Sequence, residues 1–192
     1  MTLRAPTPED VSKLSAEINQ VVHQRFLLTT LAITMVGVVG GWLFVKHEAL
    51  FANGEIGRIV YAMSFLLLLF LFMVFFFGEM LYAKLRIYTA YLLVTEASNW
   101  EIDWKLFRDK KEYVGYRRAQ SFVYVLLGLA VVFVPLVFAF VLQLRLTPYL
   151  SLAVLGIVFV LYIVFVLRMG IFRWLDPEEG VIDKWQELKK LQ

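Results

Sequence analysis

"IVYAMSFLLLLFLFMVFFFG", residues 59 to 78, is an apolar run without a single charge. As a helix rising about 1.5 Å per residue it reaches about 30 Å, the thickness of a bilayer's hydrocarbon layer. Three further uncharged runs are as suited to spanning: "FLLTTLAITMVGVVGGWLFV" (26 to 45), "SFVYVLLGLAVVFVPLVFAFVLQ" (121 to 143) and "YLSLAVLGIVFVLYIVFVL" (149 to 167). The chain has 192 residues, 60% of them hydrophobic, and a mean hydropathy of +0.71. That is well above the roughly 45–50% apolar content of a soluble domain, so lipid is the expected solvent. The expected fold is an all-α membrane protein, one membrane domain of four transmembrane helices with cytoplasmic amphipathic helical extensions. The stretch before the first run is too long and polar for a cleaved leader, so that run is expected to be a retained anchor.

Orientation follows from the cations. Sixteen of the nineteen Lys and Arg residues lie before the first run, between the second and third, or after the fourth. Only Lys46, Arg58 and Arg145 lie in the two short loops. By the positive-inside rule both termini and the 79–120 connector are cytoplasmic, in a multi-pass membrane protein. Trp42, Tyr61, Tyr124, Tyr149 and Trp174, near the ends of runs, are expected as interfacial anchors.

Three polar segments carry helix signatures. In residues 8 to 25, Thr7 is placed to cap, Pro8 suits the first turn, and Glu9 and Asp10 favour the positive end of the helix dipole. Val11, Leu14, Ile18, Val21 and Arg25 then form one stripe, and no breaker separates it from the first run. One long helix is the natural reading. Residues 79 to 95 can continue the second run, with Leu81, Leu85, Tyr88, Leu92 and Thr95 on one side, up to a break at "EASNW". Ser98 and Glu101 then form a capping box, so a further helix is expected in the 79–118 region. Residues 177 to 191 repeat the device, with Asp176 as cap and Val181, Trp185 and Leu188 on one face.

Three groups of residues are candidate sites. Thr30, Thr34, Gly37 and Gly41 form a small-residue stripe containing a GxxxG, which brings lipid-embedded helices into close contact within one chain or between subunits. Trp100, Trp104, Phe107 and Trp185 are candidates for docking a partner, since buried aromatics anchor interfaces. Lys105, Arg108, Lys110, Lys111, Arg117 and Arg118 form a cationic patch facing headgroups or solvent. Pro135 is a candidate kink in the third run. Thr29, Thr30 and Thr34 either line a narrow path or bond back to their own helix.

Several function classes are disfavoured. No cysteine is present and only His23 and His47 carry imidazoles, on opposite sides of the membrane, so neither a triad nor a metal site is expected. The acidic residues of the connector alternate with cations, as on a solvated helix. No cofactor and no enzymatic activity are expected. No ionisable group lies inside the four runs, which argues against an ion-coupled carrier. A gated pore is compatible with the first run's hydroxyls and glycines. Nucleotide or nucleic-acid binding by the cationic patch is a weaker alternative, since no Gly-rich phosphate loop accompanies it.

The runs "HQRFLLTTLAITMVGVVGGW" (23 to 42) and "RIYTAYLLVTEASNWE" (86 to 101) resemble parts of small bacterial four-span membrane proteins, some of them Kiwa-like membrane subunits of antiphage defence systems. The resemblance implies an inner-membrane homo-oligomer that works with a cytosolic protein partner; no functional residue carries over from it. The expected function is an oligomeric sensor or scaffold that couples a membrane event to that partner. The alternative is a pore or membrane-disrupting effector.

Overall fold

The computed structural model describes residues 7–52, 56–95, 116–141, 149–170 and 178–190. They form five helices, α1 (Pro8–Ala52), α2 (Ile56–Val94), α3 (Tyr116–Val141), α4 (Tyr149–Gly170) and α5 (Glu178–Lys190), and no strand occurs among them. Four of the five are long and apolar enough to cross a membrane. The 98–118 helix with its capping box, and the Asp176 cap, lie outside the described residues, except that 116 to 118 open α3.

The expected single N-terminal helix is present. α1 runs 45 residues without a break, about 67 Å at the standard rise. Its start is a reciprocal cap: the Asp10 N–H donates to Thr7 Oγ1 at 3.2 Å, while the Thr7 N–H and hydroxyl donate to Asp10 Oδ2 at 2.9 and 2.7 Å. Within 8–25, Val21 and Arg25 are buried and Val11, Leu14 and Ile18 are half-buried, so the predicted stripe is the packed face. It continues through the first apolar run as Leu28, Ala32, Val36, Val39 and Leu43. A spacing of three or four residues keeps one seam against a neighbouring helix along this whole length.

That neighbour is α2, which continues its apolar run to Val94 and is the hub of the bundle, packing against each of the other four helices. Tyr61, Ser64, Leu68, Leu71, Phe75 and Glu79 line one of its buried faces, and Val60, Leu67 and Val74 another. α3 and α4 pack on α2 and on each other, and α3 also touches α1. We call the end of the bundle that carries residues 8–25 of α1, the last four turns of α2 and all of α5 the tail end.

Aromatic rings fill the core between α2, α3 and α4. Phe75 meets Tyr124 edge-on at 5.1 Å and Phe165 at 5.9 Å, and Phe72 lies 4.4 Å from Phe165. Tyr124 and Tyr61, expected at the water interface, are instead buried, at 0% and 8% exposure. Each sits on the packed face of its helix, so proximity to a span end did not determine which way it points. Tyr162 donates its hydroxyl to the Tyr124 carbonyl at 2.8 Å. This contact requires Gly128, since a Cβ there would overlap the Tyr162 ring. Pro135 is fully buried inside α3, which continues past it.

Gly128→Ala is expected to destabilise the bundle by about 1–3 kcal/mol through overpacking. Gly156→Ala, with nothing within 4 Å of its added methyl, is expected to leave stability unchanged or slightly raised. Thermal unfolding of both variants in detergent checks the pair; equal melting points would contradict this packing.

Candidate functional site

Each apolar run is flanked at the tail end by a polar group, and the helices bring these groups into one layer. Arg25 immediately precedes the first run, Glu79 follows the second, Gln120 precedes the third, and the Met169 carbonyl lies just past the fourth. Arg25, Glu79 and Gln120 are 2%, 6% and 5% exposed, and Ser121 is fully buried beside them.

The first turn of α3 organises the layer. Arg117 Nε donates to Glu79 Oε2 at 2.9 Å, and its Nη2 donates to the same oxygen and to the Met169 carbonyl. Met169 lies in the last turn of α4, where carbonyls have no partner within their own helix. One guanidinium therefore ion-pairs with α2 and caps α4. A turn later, Gln120 Oε1 accepts a hydrogen bond from Arg25, and its Nε2 donates to Thr29 Oγ1 at 3.0 Å. Thr29 also bonds back to the Arg25 carbonyl at 3.1 Å, the self-bonding alternative expected for these threonines. Close contact of α3 and α4 at this level depends on Gly170, whose added Cβ would run into the Ser121 hydroxyl.

A tyrosine ring supports the cations. The guanidinium carbons of Arg25 and Arg117 both lie 4.7 Å from the Tyr82 ring centroid, and that of Arg86 lies 5.8 Å away. At these distances each cation is drawn to the ring quadrupole. Three helices thus place arginines or their partners around one side chain of α2. The described residues of the layer offer no imidazole or thiol, and no metal-holding group of His, Cys, Asp or Glu occurs among the described residues. The layer joins four helices by directional bonds at one height.

Apart from Arg117 and Thr29, the predicted candidates fall elsewhere. Thr30, Thr34, Gly37 and Gly41 all face outward on α1, and a Cβ at Gly37 or Gly41 meets nothing within 4 Å. Among the described residues nothing packs on Gly37 or Gly41, and α1 packs through Ala32 and Leu43. Trp185 is half-buried, with its ring 5.0 Å from Tyr91 of α2 in an edge-on contact that fastens α5 to the tail end. Trp100, Trp104, Phe107, Lys105, Arg108, Lys110 and Lys111 lie outside the described residues. The cationic patch divides at its end, for Arg118 is exposed whereas Arg117 turns inward. The reason is the α3 helix, which points adjacent residues about 100° apart. His23 is exposed.

The sequence places Arg25 on the N-terminal stripe and Arg117 in a cationic patch facing headgroups or solvent, and nothing local joins them to Glu79 and Gln120, so the layer is not singled out. The signal was nevertheless present: Arg25 falls on the Val11–Leu14–Ile18–Val21 stripe, and a cation on a packed face needs a buried partner.

Removal of one partner is expected to be costly. Glu79→Gln leaves the Arg117 charge uncompensated and should destabilise the protein by about 3–5 kcal/mol, whereas the double variant Glu79→Gln/Arg117→Met should lose much less than the two single changes together. Denaturant unfolding in detergent measures the coupling, and additive effects would dismiss the ion pair as a stabilising contact. No known protein family, curated protein sequence or solved structure matches the chain.

Proposed function

We propose that the protein is an oligomeric sensor or scaffold subunit of the bacterial inner membrane, with both termini cytoplasmic, that couples an event in the bilayer to a cytosolic protein. The observation that carries this reading is the continuity of α1 and α2: both leave the apolar region unbroken and continue at the tail end, joined along one seam. A continuous helix passes a tilt from one end to the other. From Arg25 to Pro8 the helix extends about 25 Å, so a tilt of about 10° at the polar layer displaces its tip by about 4 Å. α5, fastened to α2 by Trp185 and Tyr91, moves with it.

The cation bias supports a cytoplasmic tail end. Antiphage defence is the setting that the resemblance of the sequence to Kiwa-like membrane subunits suggests. The outward-facing small residues of α1 support self-association, because they offer close backbone approach to a second copy and no described residue packs on Gly37 or Gly41. The same stripe favours a second reading, a pore in which several α1 helices surround an axis lined by Thr30 and Thr34.

Gly37→Leu separates intersubunit from intrachain effects, because a Cβ at this outward position meets no described residue within 4 Å. It is expected to leave the melting point unchanged while reducing the subunit number seen by native mass spectrometry of gently extracted protein. An unchanged subunit number would rule out this seam. For coupling, the Trp100→Ala/Trp104→Ala variant should lose the cytosolic protein that co-purifies with the wild type, by about 2 kcal/mol or more per aromatic anchor. Undiminished recovery would sink the docking role, and ion flux from the isolated wild type in vesicles would favour the pore.

A further inference from the structure

A cleft of about 910 Å³ opens on the flank of the bundle between α1 and α2. Its walls are Leu27, Leu28 and Leu31 of α1 and Phe77, Met80 and Leu81 of α2. Leu27, Leu31, Phe77 and Met80 are each 45–55% exposed, so this side is not closed by another described part of the chain. Two polar residues, Gln24 and Lys84, complete the lining.

The arrangement is a gradient. α1 and α2 are antiparallel, with Arg25 beside Tyr82, so Gln24 and Lys84 lie together at the tail end of the cleft. Leu31 and Phe77 lie within the apolar runs, two turns deeper. The buried layer of Arg25 and Glu79 marks the height at which the runs begin, and the two polar residues sit at or beyond that height. The cleft thus extends from hydrocarbon depth to headgroup depth. Its deep part has only apolar walls; its outer end has an ammonium and an amide donor. The Lys84 ammonium lies 5.3 Å from the Tyr88 ring centroid, with the Glu17 carboxylate within electrostatic reach.

A purely apolar ligand would set hydrocarbon against the polar mouth at Gln24 and Lys84, and a soluble anion would leave the leucine wall in contact with water. We propose that the cleft is a binding site for one anionic glycerophospholipid. An acyl chain lies along Leu27, Leu31, Phe77 and Met80, and the phosphate accepts hydrogen bonds from Lys84 and Gln24. The volume is at the upper end of the range that encloses a small-molecule ligand, enough for an acyl-chain segment and a phosphate. Net charge sets the preference, because a zwitterionic headgroup brings its own cation up to Lys84. In this position the lipid touches both helices that continue to the tail end, so its presence bears on their separation.

Native mass spectrometry tests the site with the full chain, released from micelles containing equal amounts of phosphatidylglycerol and phosphatidylcholine with identical acyl chains. The wild type is expected to retain one lipid per chain, with phosphatidylglycerol favoured by about five-fold, the factor one cation supplies near an anionic surface. Lys84→Gln should bring the preference close to unity, and Leu31→Trp, which fills the deep end, should abolish retention. Equal retention of the two lipids by the wild type, or none, would overturn the proposal and leave only annular lipid. Retention of a soluble anion or a peptide instead would also overturn it, as would an undiminished preference in Lys84→Gln. The wild-type competition decides by itself if a variant fails to fold.

Discussion

Helices surrounded by lipid have little to gain from sliding into one register rather than another, because a leucine leaving a neighbouring helix finds an equally apolar acyl chain. The Arg117 guanidinium removes that freedom. Its bonds to Glu79 of α2 and to the Met169 carbonyl of α4 are directional, and its charge has no comparable partner one turn up or down. Gln120 does the same for α1 through Arg25 and Thr29. A bundle whose core is Phe, Leu and Val thus takes its vertical alignment from a few polar atoms at one margin. Those atoms lie where the polar surroundings begin, so desolvation costs less than it would at the bilayer centre.

Much of the fold was legible because it follows from chain-local physics. Run length counts spans, Thr7 and Asp10 announce the start of α1, and the Val11-to-Arg25 stripe predicts both the packed face and its continuity into the apolar run. Residues within a run were harder. Inside lipid every face of a helix is apolar, so hydrophobic periodicity no longer separates inward from outward. That is why Tyr61 and Tyr124 were expected at the interface and are found in the core. It is also why the direction of the Gly37 and Gly41 stripe needed the structure. The polar layer is a third case: its members come from four places in the sequence and become a cluster only through the topology, although Arg25 on an apolar stripe was a local sign of it.

The two ends of α1 differ in their support. At the tail end its seam against α2 is joined by the Arg25 bond to Gln120 and the contact with Tyr82, while further along it exposes Phe44, Val45 and Val38 on its outer side. α2 is enclosed by neighbours through much of its length; α1 is a peripheral helix held by one polar clamp and one seam. Of the four apolar helices it is also the least buried, so its outer side is the one most open to a neighbouring molecule or lipid.

The clamp also has an order of assembly. Arg25, Glu79, Arg117 and Gln120 all precede α4 in the chain, so the ion pair and the amide bridge have every side chain they need once α3 has left the ribosome. α4 contributes only a backbone carbonyl, which any residue at position 169 supplies. During biogenesis the first three apolar helices can thus settle into register as a unit while the fourth is still being made. The last helix to enter the membrane then meets a docking point prepared in advance, with Arg117 waiting for the end of a helix rather than for a particular side chain.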